Sequence, residues 1–410
     1  MNLLLLTAAF PYHPGEEFIE GEISVLAKIF QKITIVPLFL QFPGKGLPPR
    51  SVPPNVDVLL LPQDLTKQSR RKILLQTTPL LPSAKSIVIA AMNGGSLQPS
   101  KFRYLCARYF DAALFASLIT QKINIQHYDI IYSYWGEEKG LVLHLLRGYQ
   151  TKQKIFVSRL HGYDLYAERR GLRRLPFQKL LLNACDTVVP CSREGATYLQ
   201  RLYPEQSGKV QYSHLGVASQ NVLNRGSADD ILRIVTCSFI LPVKRLDLII
   251  AALRGVSRKV IWTHMGDGEG TQEMILLSKQ LPSNVQTLFT GHLDNGDVLN
   301  HYRNHPVDLF VNVSSHEGIP VSIMEALSFG IETIATNVGG LSELVSPEFG
   351  TLLEPAFKPE QLSEILQAHR NCQARRIKAK EHQEKNFSFE NYQSFAARLV
   401  ALFRGENGDS

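Results

Sequence analysis

The sequence predicts an α/β protein made of two doubly wound parallel sheets, each flanked by helices. Three observations carry this. Short β-rich apolar runs alternate with longer amphipathic segments almost from end to end, the pattern of βα units around parallel sheets. The polar stretch Ser219–Asp230 (SQNVLNRGSADD) has no apolar periodicity and divides that alternation in two. At 410 residues the chain is long enough for two or three compact units.

Composition removes other classes. With 44% apolar and 20% charged residues, 28 Gly and 22 Pro, the chain is neither disordered nor fibrous. Its five cysteines (Cys106, Cys185, Cys191, Cys237, Cys372) are odd in number and form no C-x-x-C pair, so a reducing compartment is expected. A net charge of +7 is compatible with phosphates, nucleic acid or a membrane surface and does not choose among them.

The elements follow in order. MNLLLLTAAFP has no Lys or Arg before its apolar run and meets Pro11 at once, so it reads as a first buried strand rather than a signal peptide. Further strands are expected at Ile33–Leu38, Val56–Leu61, Ile130–Ser133, Ile155–Leu160, Thr187–Pro190 and Val210–Ser213. The second half restarts with Leu232–Cys237, Val260–Met265, Gln286–Thr290, Leu309–Val313 and Thr333–Ala335. The division expected is residues 1–218, a linker 219–230, a second domain 231–385, and a terminal helix within 386–404 that packs back on the first domain. Two such domains facing each other place a ligand cleft at the carboxyl ends of both sheets. The longest apolar stretch, Leu80–Met92, is broken by Pro82 and Lys85, too short to span a bilayer. The expected location is cytoplasmic, at the inner face of the cell membrane.

The strongest chemical signal is Ser314–Gly330 (SSHEGIPVSIMEALSFG), directly after the strand Leu309–Val313. Gly318 lets backbone approach a ligand closely, and Pro320 pre-sets φ for a helix start. The free amides of that helix N-terminus attract phosphate. Glu317 sits on the turn and Glu325 one to two turns into the helix, so their carboxylates reach different parts of one extended ligand. A sugar nucleotide offers hydroxyls at both ends and a diphosphate between. Taken alone, two glutamates near a helix are commonly just solvated.

This segment resembles the Glu-x7-Glu motif of retaining glycosyltransferases with the GT-B fold, most of all glycosyltransferase family 4, known from bacterial surface polysaccharide synthesis. The resemblance implies that Glu317 binds donor-sugar hydroxyls and Glu325 the nucleotide ribose, with the donor-binding turn Gly318, Ile319, Pro320 and Val321 against the diphosphate, its amides coming from Gly318, Ile319 and Val321. In Cys237–Leu248 (CSFILPVKRLDL) the family usually reads G-R-L-x-x-x-K-G; Lys244 matches its Lys, Phe239 replaces its Arg, and Arg245 stands at its final Gly. Cationic groups stabilise a leaving diphosphate, so Arg245 is expected to supply the second cation from a different backbone position. Thr263–Gly268 (THMGDG) resembles the donor-site turn, which makes Gly266 and Asp267 donor-binding residues, with Gly291 of NVQTLFTG beside them. Glu332, where the family commonly has Pro, is expected to be structural. In the first domain Arg159–Tyr166 (RLHGYDLY) resembles the H-G-x-D loop, which places His161 nearest the exchanged bond. Gly15 of FPYHPGEEFIEGE resembles the glycine of the first loop, against donor phosphate or acceptor. The basic run Arg169, Arg170, Arg173, Arg174 is either a solvated face or a surface for anionic lipid.

There is no G-x-G-x-x-G after the first strand, no P-loop, no H-E-x-x-H and no G-x-S-x-G. Nor does an Asp-x-Asp metal motif occur. The expectation is a retaining glycosyltransferase with catalytic His161, Lys244 and Glu317 that needs no cofactor and no metal. It moves a sugar from a nucleoside diphosphate sugar to a hydroxyl of a glycan or lipid-linked glycan, with no nucleic acid partner. The alternatives are a catalytically degenerate GT-B protein that binds a sugar nucleotide or supports a partner transferase, and a GT-B epimerase.

Overall fold

A computed structural model describes residues 1–13, 15–39, 49–62, 66–76, 84–94, 99–148 and 154–406. Residues 80–83 of the apolar stretch and the start of the proline-rich LPPRSVPP lie outside the described residues. The chain forms two compact units, Met1–Ser213 with Tyr392–Ser410, and His214–Asn391.

Unit 1 holds a six-stranded parallel sheet: β1 (Asn2–Thr7), β2 (Lys32–Pro37), β3 (Val56–Val58), β4 (Ile130–Ser133), β5 (Ile155–Leu160) and β6 (Thr187–Pro190), in the order β3-β2-β1-β4-β5-β6. Leu3, Leu4, Leu5 and Leu6 are all fully buried, because helices cover both faces of a parallel sheet and leave no polar side to alternate with. Register follows pairs such as Leu5 with Ile35 and with Tyr132. The order turns back between β1 and β4, which makes the loops after those strands the expected ligand edge.

Unit 2 repeats the plan with β7 (Leu232–Cys237), β8 (Val260–Met265), β9 (Val285–Phe289), β10 (Leu309–Asn312), β11 (Glu332–Thr336) and β12 (Gly350–Leu353), in the order β12-β11-β10-β7-β8-β9. Here the turning point lies between β7 and β10. The loops after these two strands carry the segments CSFILPVKRLDL and SSHEGIPVSIMEALSFG.

Three expectations change. Val210–Ser213 makes only one parallel bridge to β6, through Val188, and does not form a strand. β12 was not foreseen, because four residues opening on glycine give no apolar run to read. The terminal helix expected within 386–404 starts at Glu390 and runs to Arg404, separated from a preceding helix, Gln373–Asn386, where the chain passes so close to Gly216 that a Cβ there would lie 2.0 Å from the Ser388 carbonyl oxygen.

The last helix packs on unit 1 through a buried charge. Phe395 lies 4.4 Å from the Arg159 guanidinium. Arg159 and Glu22 pair at 3.1 Å with both side chains fully buried, and Tyr132 donates to Glu22 at 2.8 Å. Further hydrogen bonds support the buried pair: Arg159 donates from Nε to the Tyr132 hydroxyl at 2.7 Å and from Nη1 to the Ser213 carbonyl at 3.0 Å.

Candidate active site

At the turning point of unit 2, Lys244 and Glu317 meet. Lys244 ends a short turn of 3-10 helix, Pro242–Lys244, and its Nζ lies 2.6 Å from Glu317 Oε1. The same oxygen accepts from Ser314 Oγ at 2.7 Å and from Asn312 Nδ2 at 3.4 Å. Burial alone pushes the Glu317 carboxyl up, but the Lys244 ammonium and these donors outweigh it and hold the group below its ordinary range. Glu317 is thus an ionised acceptor in a site that excludes most water.

The main chain under Glu317 is fixed from the far side. Gly339 has φ +54, and a Cβ there would fall 2.1 Å from the Glu317 carbonyl oxygen, so only glycine fits. Gly340 N–H donates to the Gly318 carbonyl at 2.8 Å. Pro320 caps the helix Val321–Ser328 with φ −75, and the first amides of that helix have no intrahelical acceptor. Gly318 and Ile319 are buried on the approach to it. Glu325, on the buried side of the helix, accepts from Asn295 Nδ2 at 2.5 Å.

Arg245 occupies the left-handed region, φ 51, at the cap of the helix Leu246–Leu253. Its guanidinium donates to the carbonyls of Val313 at 2.6 Å, Pro355 at 2.8 Å and Ser314 at 3.4 Å. The side chain therefore clamps the end of β10, where the loop bearing Glu317 begins. Phe239, at the position where the resemblance expects an Arg, is 50% exposed.

The turn after β8 is packed against the loop after β7. A Cβ on Gly266, φ +133, would lie 2.1 Å from the Ser238 carbonyl oxygen. Asp267 accepts from Ile240 N–H at 2.8 Å, and Gly266 N–H donates to the Gly291 carbonyl at 2.9 Å. These glycines bring Gly266, Asp267 and Gly291 to one edge of unit 2. Behind them His264 is fully buried, donor or acceptor to Thr236 at 2.8 Å, its pKa pushed down to about 4 by burial. Glu332 is structural: buried, it accepts from Arg375 Nε at 2.6 Å.

His161 lies in unit 1 at the end of β5. Its main-chain N–H donates to Asp164 Oδ1 and that of Gly136 to Asp164 Oδ2, both at 2.6 Å. The residue is 9% exposed, and neither ring nitrogen has a hydrogen-bond partner among the described residues. Burial, with Arg159 nearby, pushes its pKa down to about 3, so the imidazole is neutral at physiological pH. Gly15 has φ +85, a Cβ there would meet nothing within 4 Å among the described residues, and its carbonyl accepts from Arg50 at 3.0 Å. In the basic run, Arg170 faces Glu137 and Glu138 at 3.8 and 3.7 Å, and Arg174 stacks on Tyr203 at 5.1 Å. Arg173 is exposed and Arg169 half-buried.

Sequence reasoning missed Asn312, Ser314 and Asn295, whose contacts with Glu317 and Glu325 depend on loop geometry. The polar end of β10, immediately before the motif, was the available signal for the first two.

Residues 225–386 match the family described as Glycosyl transferases group 1. An uncharacterised glycosyltransferase of Methanocaldococcus jannaschii is 24% identical over 273 residues, 65% of this chain and 74% of the relative. The O-antigen biosynthesis glycosyltransferase WclY of Escherichia coli is 24% identical over 238 residues, 54% of this chain and 65% of the relative. Among solved structures, Anabaena HepE in complex with UDP superposes with a TM-score of 0.63 at 15% identity, covering 98% of this chain and all of that one. The matched segment contains β7 to β12 and both halves of the Lys244–Glu317 pair; with two Rossmann-like sheets turning back at the same relative positions, the chain is a glycosyltransferase of the GT-B fold whose second unit resembles group 1.

Proposed function

We propose that this glycosyltransferase moves a hexosyl group, with retention, from a nucleoside diphosphate sugar to a hydroxyl of a glycan or lipid-linked glycan of a surface polysaccharide. The observation that carries it is the Lys244–Glu317 pair at the turning point of unit 2, beside the N-terminus of the helix Val321–Ser328. Donor binding replaces this internal contact. Glu317 accepts from a sugar hydroxyl, Lys244 turns to the diphosphate, and the amides of Gly318, Ile319 and Val321 share its charge. Arg245 supplies the second positive charge while clamped on the end of β10, and Glu325 takes the ribose. Gly266, Asp267 and Gly291 line the nucleoside side of the same edge. Gly15 is kept as a first-loop contact to donor phosphate or acceptor.

In the transfer itself the bond from the anomeric carbon to the phosphate oxygen breaks, and a bond to the acceptor oxygen forms on the same face. The acceptor proton passes to the departing phosphate oxygen. Lys244 and the helix amides stabilise the charge that gathers there, so the reaction needs no metal ion. His161, neutral, contributes as a hydrogen-bonding group and not as a cation. The reading of UDP as the nucleotide is supported by the UDP complex of HepE, and that of the polysaccharide by the name of WclY. Arg169 and Arg173 would meet anionic lipid at the inner face of the membrane; no described helix is long and apolar enough to cross one.

The test is a panel of UDP-, GDP-, ADP- and dTDP-sugars with pure protein and EDTA, following binding heat, nucleoside diphosphate release and the anomeric configuration of the product by NMR. One donor bound, released in a Glu317-dependent manner, with retained configuration, is expected. Binding of no sugar nucleotide overturns the assignment.

A further inference from the structure

In unit 1 the segment that spans the helices Lys67–Gln76 and Ala84–Asn93 and enters the helix Pro99–Lys122 carries charge of one sign. Every charged residue between Leu65 and Phe110 is Lys or Arg. Within this run the helix Ala84–Asn93 turns Val88 and Met92 outward, four positions apart on one face and 46% and 71% exposed. Its opposite face is buried: Ala90 and Ala91 are fully covered, and the helix packs on Pro99–Lys122 and on the helix Gln178–Ala184. A helix that is already docked on the core and still keeps a methionine in water has apolar area left over for something else.

Beside Met92 a groove of about 550 Å³ opens, and its two sides differ in chemistry. Ile89, Met92 and Leu202 make the apolar side; Arg173, Arg174 and Lys179 make the cationic one. Asn93 ties the groove together. It is buried, and its Nδ2 donates to the Leu175 carbonyl at 2.6 Å and to the Tyr203 hydroxyl at 2.9 Å, which joins the end of its own helix to the basic stretch and to the end of the helix Arg193–Leu202. Arg174 is held over the Tyr203 ring at 5.1 Å. Among the described residues no carboxylate pairs with Arg173 or Arg174. Lys179 has Glu205 at 3.9 Å, with both side chains about half exposed, a contact weak enough to be exchanged for a ligand anion.

We propose that this groove holds one anionic phospholipid of a bilayer, its phosphate among Arg173, Arg174 and Lys179 and the first part of an acyl chain along Ile89, Met92 and Leu202. A membrane lipid is the ligand that uses both sides, since it joins a phosphate directly to hydrocarbon. A free phosphate or a sugar phosphate uses the cations and leaves Met92 in water; a neutral lipid leaves the cations unanswered. Each basic residue near an anionic surface strengthens partition about fivefold, so the one-sign run next to the groove draws the same face to the membrane. Val88, one turn from Met92, enters the interface with it. All six groove residues belong to unit 1, whereas Lys244 and Glu317 belong to unit 2, so lipid capture is separate from the transfer chemistry. The inference rests on the lipid-facing reading of Arg173 given above and not on the donor site.

The full-length protein is mixed with vesicles of phosphatidylcholine alone, or of phosphatidylcholine with phosphatidylglycerol, and the bound fraction is read by flotation at low and at physiological salt. Binding only where phosphatidylglycerol is present is expected. Arg173→Gln with Lys179→Gln, which leaves the Arg174–Tyr203 contact in place, weakens it about 25-fold. Met92→Ser weakens it about tenfold, and this deficit persists at the higher salt because apolar burial is not screened. Met92→Trp in a Trp135→Phe background shifts its emission to the blue on phosphatidylglycerol vesicles, a gain of signal that does not depend on a loss of binding. No vesicle binding, or equal binding to phosphatidylcholine alone, overturns the site. So does loss through Lys67→Gln, Arg71→Gln and Lys72→Gln without loss through the groove variants, which is diffuse attraction only. Full displacement of the vesicles by glycerol 3-phosphate makes the ligand a free phosphate and also overturns it. Met92→Ser binds sugar nucleotides as the wild type does, and Glu317→Gln binds vesicles as the wild type does, so failure of the lipid groove and failure of the glycosyltransferase reading are told apart.

Discussion

Replacing Lys244 by methionine leaves the Glu317 carboxylate buried without its cation. The two side chains are only 20% and 10% exposed, so water cannot take over the ammonium's role. Breaking a buried pair from one side costs about 3–5 kcal/mol. Ser314 Oγ at 2.7 Å and Asn312 Nδ2 at 3.4 Å remain, which places the loss at the lower end, about 3 kcal/mol at pH 8. The loss must shrink with acid. Without Lys244 the burial that already pushes Glu317 up is unopposed by a charge, so its folded pKa rises above that of the unfolded chain. The folded state then takes up the proton first and gains stability relative to the unfolded chain as pH falls through that raised value. Adding Glu317→Gln to Lys244→Met removes the stranded charge and recovers about 1–2 kcal/mol. The assay is urea unfolding in a Trp135→Phe background, where Trp262 is the one remaining tryptophan and reports unit 2. A loss below about 0.5 kcal/mol at pH 8, or one that does not change between pH 8 and pH 5, refutes the reasoning.

Gly339→Ala should destabilise unit 2 by about 2 kcal/mol or more and weaken sugar-nucleotide binding, because its Cβ would displace the Glu317 carbonyl 2.1 Å away; thermal melts and calorimetry on the same sample check both. Glu325→Gln is expected to weaken nucleoside diphosphate binding about tenfold with little change in melting temperature, and equal affinity would remove Glu325 from the ribose. Folded His161 binds its proton only near pH 3 and the unfolded chain near its ordinary 6.5, so the unfolded state holds the extra proton between these values and stability falls as pH drops through that window. His161→Phe should flatten this slope by up to about 1.4 kcal/mol per pH unit, measured as urea midpoints from pH 7 to pH 4. Asp164, pushed up to about 6 by burial, acts with the opposite sign in both proteins and cancels in the comparison.

Much of the fold was legible because parallel strands buried on both faces are continuous apolar runs; β1, with four leucines in succession, could hardly be anything else. β12 and the break before Glu390 were not, since one is too short to carry a period and the other is imposed by a close chain crossing at Gly216. Within the site, Glu317, Glu325 and Lys244 are visible through their spacing and their turns. Arg245 is equally visible, yet its three carbonyl contacts depend on where β10 ends and where Pro355 passes.

The sequence by itself determined two α/β halves and the turns that open their helices, because these follow from local periodicity and from backbone needs at single glycines and prolines. Only the tertiary structure decided that Lys244 neutralises Glu317 across 73 positions, that Glu16 turns inward to accept from the amides of Ala8, Ala9 and Phe10, and that Trp135 stands beside His161. Such pairings depend on which strands become neighbours at the turning point of a sheet. That order is settled by the packing of all the elements together, and no local signal encodes it.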